Sequence, residues 1–213
     1  MSMVLFEQFL AVGKGLSVTL PLFIVSLGIG AVLGLSIAIL RKDNQIARYI
    51  IDRIISILRG TPVILQLSFV YFILASLGMT VGIFWAGVIT LGINSAAYIG
   101  EIFRSGIDVL PKGQFEASKV LGISSFAMWK DIAIPQVLRN VWSALVNESI
   151  ALLKETALIS TIGGLDLFKC AKHIGATHFT YFAPLLMAGC YYYGIVLCIE
   201  YAGRLFEKRC FSW

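Results

Sequence analysis

Two long runs without a charged residue set the terms for this chain. Residues 15–40 hold 26 uncharged positions and residues 60–100 hold 41. About 20 apolar residues suffice for one helix across a bilayer. The first run is therefore one span, and the second is too long for one. Gly78, Met79, Thr80, Val81 and Gly82 supply the turn that divides it. Two more apolar stretches follow, at 136–159 and 181–201, the first weakened by Asn147, Glu148, Lys154 and Glu155. The expected class is an all-α polytopic membrane protein with five transmembrane helices at about 16–40, 60–78, 83–103, 136–159 and 181–201. Composition agrees: 58% of residues are hydrophobic and 14% charged, against about 45–50% and about 25% in soluble domains. The first run is too long for a signal-peptide core and has no small-residue cleavage pattern after it, so it is read as retained. Gly28, Gly30 and Gly34 along it invite close approach of another helix.

Five spans place the two ends on opposite sides. Arg41, Lys42, Arg48, Arg53 and Arg59 form a basic connector. With the N-terminus outside, the cytoplasmic segments carry 13 Lys and Arg residues, and the outside keeps Lys14, Lys154, Lys169 and Lys172. The positive-inside rule then favours N-out, C-in. The formal charge of +5 reflects those basic loops rather than nucleic-acid binding. Cys170, Cys190, Cys198 and Cys210 show no CxxC pairing, which excludes a disulfide framework or a zinc site and leaves them as packing residues. His173 and His178 in the polar outer segment 163–180 have no acidic or cysteine cluster beside them and are read as surface residues.

Residues 113–136, GQFEASKVLGISSFAMWKDIAIPQ, are the one long segment that is neither span nor simple turn. Locally they read as two short helices. Phe115 to Leu121 makes about two turns, Gly122 can take the left-handed conformation that ends a helix, Ser124 or Ser125 caps the next one, and Pro135 suits the first turn of the helix after it. An amphipathic hairpin on the membrane surface would also fit. The order Glu116-Ala117-Ser118, three residues, Gly122, nine residues, Ile132-Ala133-Ile134-Pro135 closely resembles the EAA loop of ABC-transporter membrane subunits, with Ser118 and Ile134 as conservative departures. Arg59-Gly60-Thr61-Pro62 with Gln66, Ala97 through Arg104, Gly113-Gln114, Pro135-Gln136 with Arg139 and Asn147, and Leu153 through Thr156 are similar to the polar amino acid uptake subfamily (histidine-, arginine- and glutamine-type permeases). Ser143 stands where that subfamily has Pro, and Ala157 where it has Ser.

The resemblance implies a type I importer permease fold in a bacterial inner membrane. A domain at 15–206 would carry a cytoplasmic coupling loop at 105–135, flanked by an external segment at 1–14 and a tail at 207–213. It also implies three partners: an ATP-binding subunit, a second permease subunit (identical or paralogous), and an extracytoplasmic amino-acid-binding protein. Glu116, Ala117, Gly122, Ile132 and Pro135 would couple the chain to the ATPase, and ATP and Mg would be bound by that partner. This chain has no GxxxxGK[ST] loop for phosphate, no HExxH and no GxSxG, so no cofactor is assigned to it. A stand-alone carrier or channel, or an intramembrane enzyme, would need no docking element of this kind.

Ionisable residues within spans usually face the bundle interior. Glu148 stands about 12 residues into its span, roughly 18 Å at 1.5 Å per residue, near the midplane. It could receive a substrate ammonium or guanidinium group with Asn147 alongside, pair with a neighbouring helix's cation, or sit as a hydrogen-bonded acid. Gln66, Tyr98 and Glu101 are the other substrate-path candidates. Glu101 and Arg104, three apart, are placed to bridge each other. Thr61 and Pro62 also have a plain local reading, as cap and first residue of the second span.

Overall fold

The computed structural model describes residues 2–43 and 45–210, which are helix and turn throughout. Helices α1 (Ser2–Gly13) and α2 (Leu16–Asp43) run nearly end to end. The segment expected to be a plain external extension, 1–14, is thus mostly helix. It packs on α10 (Leu167–Thr177) and α11 (Phe182–Cys210), with Phe9 stacked on Tyr191 at 4.5 Å and the Tyr191 hydroxyl donating to the Phe9 carbonyl at 3.1 Å. Residues 211–213 of the expected tail lie outside the described residues.

The basic connector is also a helix, α3 (Gln45–Gly60). Ile46, Ile50, Ile54 and Ile57 recur at helical spacing on one exposed stripe, which a tally of basic residues overlooks. The second apolar run opens with α4 (Val63–Ser68), widens into a π-helical stretch at Phe69–Ile73 and closes with α5 (Leu74–Ser76). These 14 residues reach only about 21 Å at 1.5 Å per residue, short of a hydrocarbon core of about 30 Å. They lie at 101° to the last turns of α3. Among the described residues, three helices are long and apolar enough to cross a membrane, four if this bent pair is one span. Helix α9 (Ile134–Glu155) has the length, about 33 Å, but is not among them, its apolar residues being interrupted by Gln136, Arg139, Asn140, Asn147 and Glu148.

Thr61 does not open α4. Its hydroxyl donates back to the Ile57 carbonyl at 2.9 Å and closes α3, while Pro62 takes the N-cap position ahead of Val63. The expected turn between the second and third spans is present, with Gly78 at φ 81°.

The scaffold is built on α2 against α6 (Ile83–Asp108). A Cβ at Gly34 would sit 2.7 Å from Ile99 Cγ2, and one at Gly30 would sit 3.0 Å from Ser95 Cβ. Glycine lets these backbones close up, as expected. Gly28 faces open space instead. Leu22, Leu67, Leu91, Leu152, Leu153 and Ile159 form the buried centre where α2, α4, α6, α9 and the 3₁₀ turn Thr156–Ile162 meet.

The segment after α6 holds α7 (Lys112–Val120) and α8 (Ser125–Ala127). Gly122 has φ 69° and Ser124 caps α8, accepting from the Ala127 N–H at 3.2 Å, both as anticipated. The second helix is not short, however. It continues from α8 through a π-helical stretch, Met128–Ala133, into α9 without interruption. Pro135 has no N–H and crowds the carbonyl four residues back. The wider π turn around Asp131 accommodates that ring inside a continuous helix.

Candidate functional site

Two regions hold the candidate residues. The first is the protruding α7–α8 elbow. Phe115 and Trp129 meet at 5.6 Å over a buried set of Leu110, Ala133, Val137 and Val141. The Gln114 and Gln136 side chains exchange hydrogen bonds at 3.2 and 3.0 Å across the base. This anchors one side of α7 and leaves Glu116 and Ala117 exposed beside Val120 and Leu121, which are 87% and 75% exposed. Ile132 is half-buried and Pro135 exposed on the following helix, so the five motif residues span the elbow from tip to root. A rigid, partly apolar knob on a fixed base is the shape a docking element needs.

The second region lies along one face of α6. Asn94, Ser95, Tyr98 and Glu101 follow one another at helical spacing. The Ser95 hydroxyl donates to Glu148 Oε1 at 2.9 Å, and among the described residues no cation comes within ion-pair distance of Glu148. Asn147 is not alongside. One residue away is about 100° around a helix, and Asn147 lines a separate cavity of about 250 Å³ with Trp142, Ser143, Glu200 and Arg204. Gln66 is occupied: its amide nitrogen donates to the Leu58 carbonyl and the Thr61 hydroxyl, each at 2.8 Å, and its oxygen accepts from Asn94 at 3.2 Å. Asn94 is 1% exposed and also reaches the Leu58 carbonyl. Together Gln66 and Asn94 hold the sharp bend between α3 and α4. The sequence signal for Asn94 was a lone amide in an apolar helix.

Tyr98 and Glu101 lie together in a cavity of about 450 Å³ with Arg41, Asp52 and Arg59. The Arg59 guanidinium sits over the Tyr98 ring at 5.0 Å from its centroid. Glu101 does bridge Arg104, at 3.0 and 3.1 Å, but it also pairs with Arg41 and lies 3.7 Å from Arg59. Arg41 reaches Asp52 as well. The ends of α2, α3 and α6 are thereby joined through one carboxylate, a connection that no local pattern could reveal. Glu148 and Gln66 are not part of this cavity's wall, so the structure divides the five path candidates among four places.

On the outer segment, Asp166 is fully buried and caps α10 through the Phe168 and Lys169 N–H groups at 3.2 and 2.9 Å, while accepting from the Tyr192 hydroxyl at 3.2 Å. Burial pushes its carboxyl above the usual carboxylate range. His173 and His178 are exposed, and the described residues hold no group of three or more His, Cys, Asp or Glu side chains that could bind a metal.

The chain is similar to known proteins over nearly its whole length. The putative glutamine transport system permease protein GlnP of Rickettsia typhi is 38% identical over 206 residues, covering 96% of this chain and 94% of its own. The arginine transport system permease protein ArtQ of Bacillus subtilis is 40% identical over 198 residues, covering 92% and 90%. Among solved structures, that of an amino acid ABC transporter with histidines superposes with a TM-score of 0.88 at 36% identity, covering 98% of this chain and 97% of that one. An inward-facing MetNI methionine ABC transporter shares the fold at a TM-score of 0.75 and 23% identity. Residues 30–212 match the family of binding-protein-dependent transport system inner membrane components. With its helical membrane scaffold and EAA-type elbow, the chain belongs to that family.

Proposed function

We propose that this chain is the translocation subunit of an ATP-driven importer of polar or basic amino acids. The observation that carries the reading is the α7–α8 elbow: Glu116, Ala117, Val120 and Leu121 are exposed on a base anchored by Phe115, Trp129 and the Gln114–Gln136 pair. The elbow offers a separate ATPase subunit a surface to grip. Movement of that subunit would pass through the continuous α8–α9 helix to Glu148 and would swing the spans as rigid bodies between inward- and outward-facing states.

In this reading the chain has five spans, the bent α3–α5 unit counted as one and α9 being the one that apolarity alone does not identify. The N-terminus lies outside, and the α7–α8 elbow and C-terminus are cytoplasmic. A second permease subunit, identical or paralogous, completes the path, and an extracytoplasmic amino-acid-binding protein delivers the substrate. ATP and Mg belong to the ATPase partner. The glutamine and arginine named for the relatives and the Glu148 carboxylate, hydrogen-bonded to Ser95 and with no cation partner among the described residues, support a substrate bearing an ammonium or guanidinium group. The test is uptake of labelled arginine and glutamine into vesicles holding the assembled transporter, its binding protein and ATP. Uptake that proceeds without the ATPase subunit would refute the proposal in favour of a stand-alone carrier.

A further inference from the structure

The ends of α2, α3 and α6 enclose a small cavity that holds none of the substrate-path candidates. It measures about 190 Å³ and is lined by Ala38 and Arg41 of α2, Arg48 of α3, and Arg104, Ile107 and Asp108 of α6. Arg41 is also part of the wall of the larger Glu101 cavity, and Asp52 and Glu101 line that cavity and not this one. Three guanidinium groups from three helices therefore share this space with a single carboxylate.

Their pairing is incomplete. Arg104 is well held, by Glu101 at 3.0 Å and by Asp108 at 2.7 Å, and the second contact takes up the one acid in the wall. Arg41 gives both terminal nitrogens to Asp52 and Glu101, but its Nε–H is buried without an acceptor, on a side chain only 8% exposed. Arg48 has one ionic contact among the described residues, a loose one to Asp52 at 3.9 Å, and is 62% exposed. Like charges gathered at a partly buried site repel one another, and a buried donor without an acceptor is costly. An anion between Arg48 and Arg104 relieves that repulsion and offsets the Arg41 charge behind them. The planar forks of arginine match the oxygens of a phosphate. Such an anion also has something to fasten, because Ile55 is the one α3 hydrophobic side chain that is buried among the described residues. Ionic contacts therefore carry much of the attachment of α3 to α2 and α6.

We infer that this cavity binds a phosphate group, held by Arg48 and Arg104 in front of Arg41 and tying α3 to the ends of α2 and α6. Ala38 and Ile107 also line an apolar groove of about 290 Å³ between α2 and α9, so a lipid headgroup and a free phosphate ion both have access. The site stands whatever the transported substrate, since Glu148, Asn147, Gln66, Tyr98 and Glu101 do not line it.

The test takes the assembled transporter in mild detergent, stripped of lipid, and follows its melting temperature. Inorganic phosphate is titrated against chloride at matched ionic strength, and short-chain phosphatidylglycerol against short-chain phosphatidylcholine. The wild type is expected to be stabilised by phosphate, by phosphatidylglycerol, or by both. Arg48→Gln should weaken that binding about fivefold, the effect of roughly one cation near an anionic headgroup. Arg53→Gln is the control, an exposed arginine of the same helix that lies over the Tyr49 ring and outside the cavity, and should bind as wild type does. An Arg48-dependent response to phosphatidylglycerol alone assigns the site to a headgroup, and a response to phosphate alone to the free ion. A second measurement uses the wild type only: bound phosphate or phosphatidylglycerol should slow the modification of Arg48 by phenylglyoxal, mapped by mass spectrometry, and leave Arg53 unaffected. No Arg48-dependent response to either probe, an equal loss in Arg53→Gln, or unprotected Arg48 overturns the inference.

Discussion

Replacing Gly122 isolates what the elbow contributes. The Gly122 N–H donates to the Lys119 carbonyl at 3.1 Å and the Ile123 N–H to the Ser118 carbonyl at 2.9 Å, the paired bonds of a left-handed helix end. Nothing lies within 4 Å of where a Cβ would be, so a side chain has space, and only the φ of 69° resists it. Gly122→Ala should therefore cost about 1–2 kcal/mol, the penalty for an L-residue in that region, or roughly 5- to 30-fold in the population holding the native turn. Gly122→Pro is more severe, because φ is fixed near −65° and the bond to Lys119 is lost; α7 can no longer keep its angle to α8. The site is outside the spans, so insertion into the membrane should be normal in both variants. The assay is the fraction of ATPase subunit that co-purifies with the permease, together with uptake rate, across wild type, Ala and Pro. Progressive loss in that order is expected. Full co-purification and full uptake by Gly122→Pro would refute the coupling role of the elbow.

Glu148→Gln keeps shape and the Ser95 hydrogen bond but removes the charge, so uptake of arginine, lysine or histidine should fall by an amount matching about 2–5 kcal/mol of lost charge pairing, while neutral polar amino acids are less affected; unchanged uptake kinetics would remove the basic-substrate reading. A cysteine at Lys112 should react with an impermeant thiol reagent only from the cytoplasmic side, and one at Lys172 only from outside; reversed labelling would overturn the orientation. Asp166 is a buried acid whose pKa is raised in the folded chain. Its contribution to stability is therefore fully present below the unfolded carboxylate pKa and is lost as pH rises through the higher folded value. Asp166→Asn should flatten that part of the thermal-stability-against-pH curve, and an unchanged curve would show that another group is responsible.

The charge-free runs, the turn around Gly78 and the break at Gly122 were legible in the sequence, because each depends on a local property: burial of apolar surface in lipid or a backbone angle that only glycine takes freely. The EAA spacing was legible for the same reason, being a fixed distance along one segment. Tertiary structure decided the rest. Glu148 and Asn147 are adjacent in the chain, yet Glu148 meets Ser95 on α6 while Asn147 lines a cavity beside α11, since one step around a helix is about 100°. Gln66 looked like a path residue and is occupied at a bend by Asn94 and the Leu58 carbonyl, partners set by how α3, α4 and α6 cross. Glu101 looked like half of a local pair, and its contact with Arg41 spans 60 positions of sequence. Local energetics can be read residue by residue. Which polar groups meet inside a helical bundle depends on helix rotation and crossing, and those are set by packing over the whole chain.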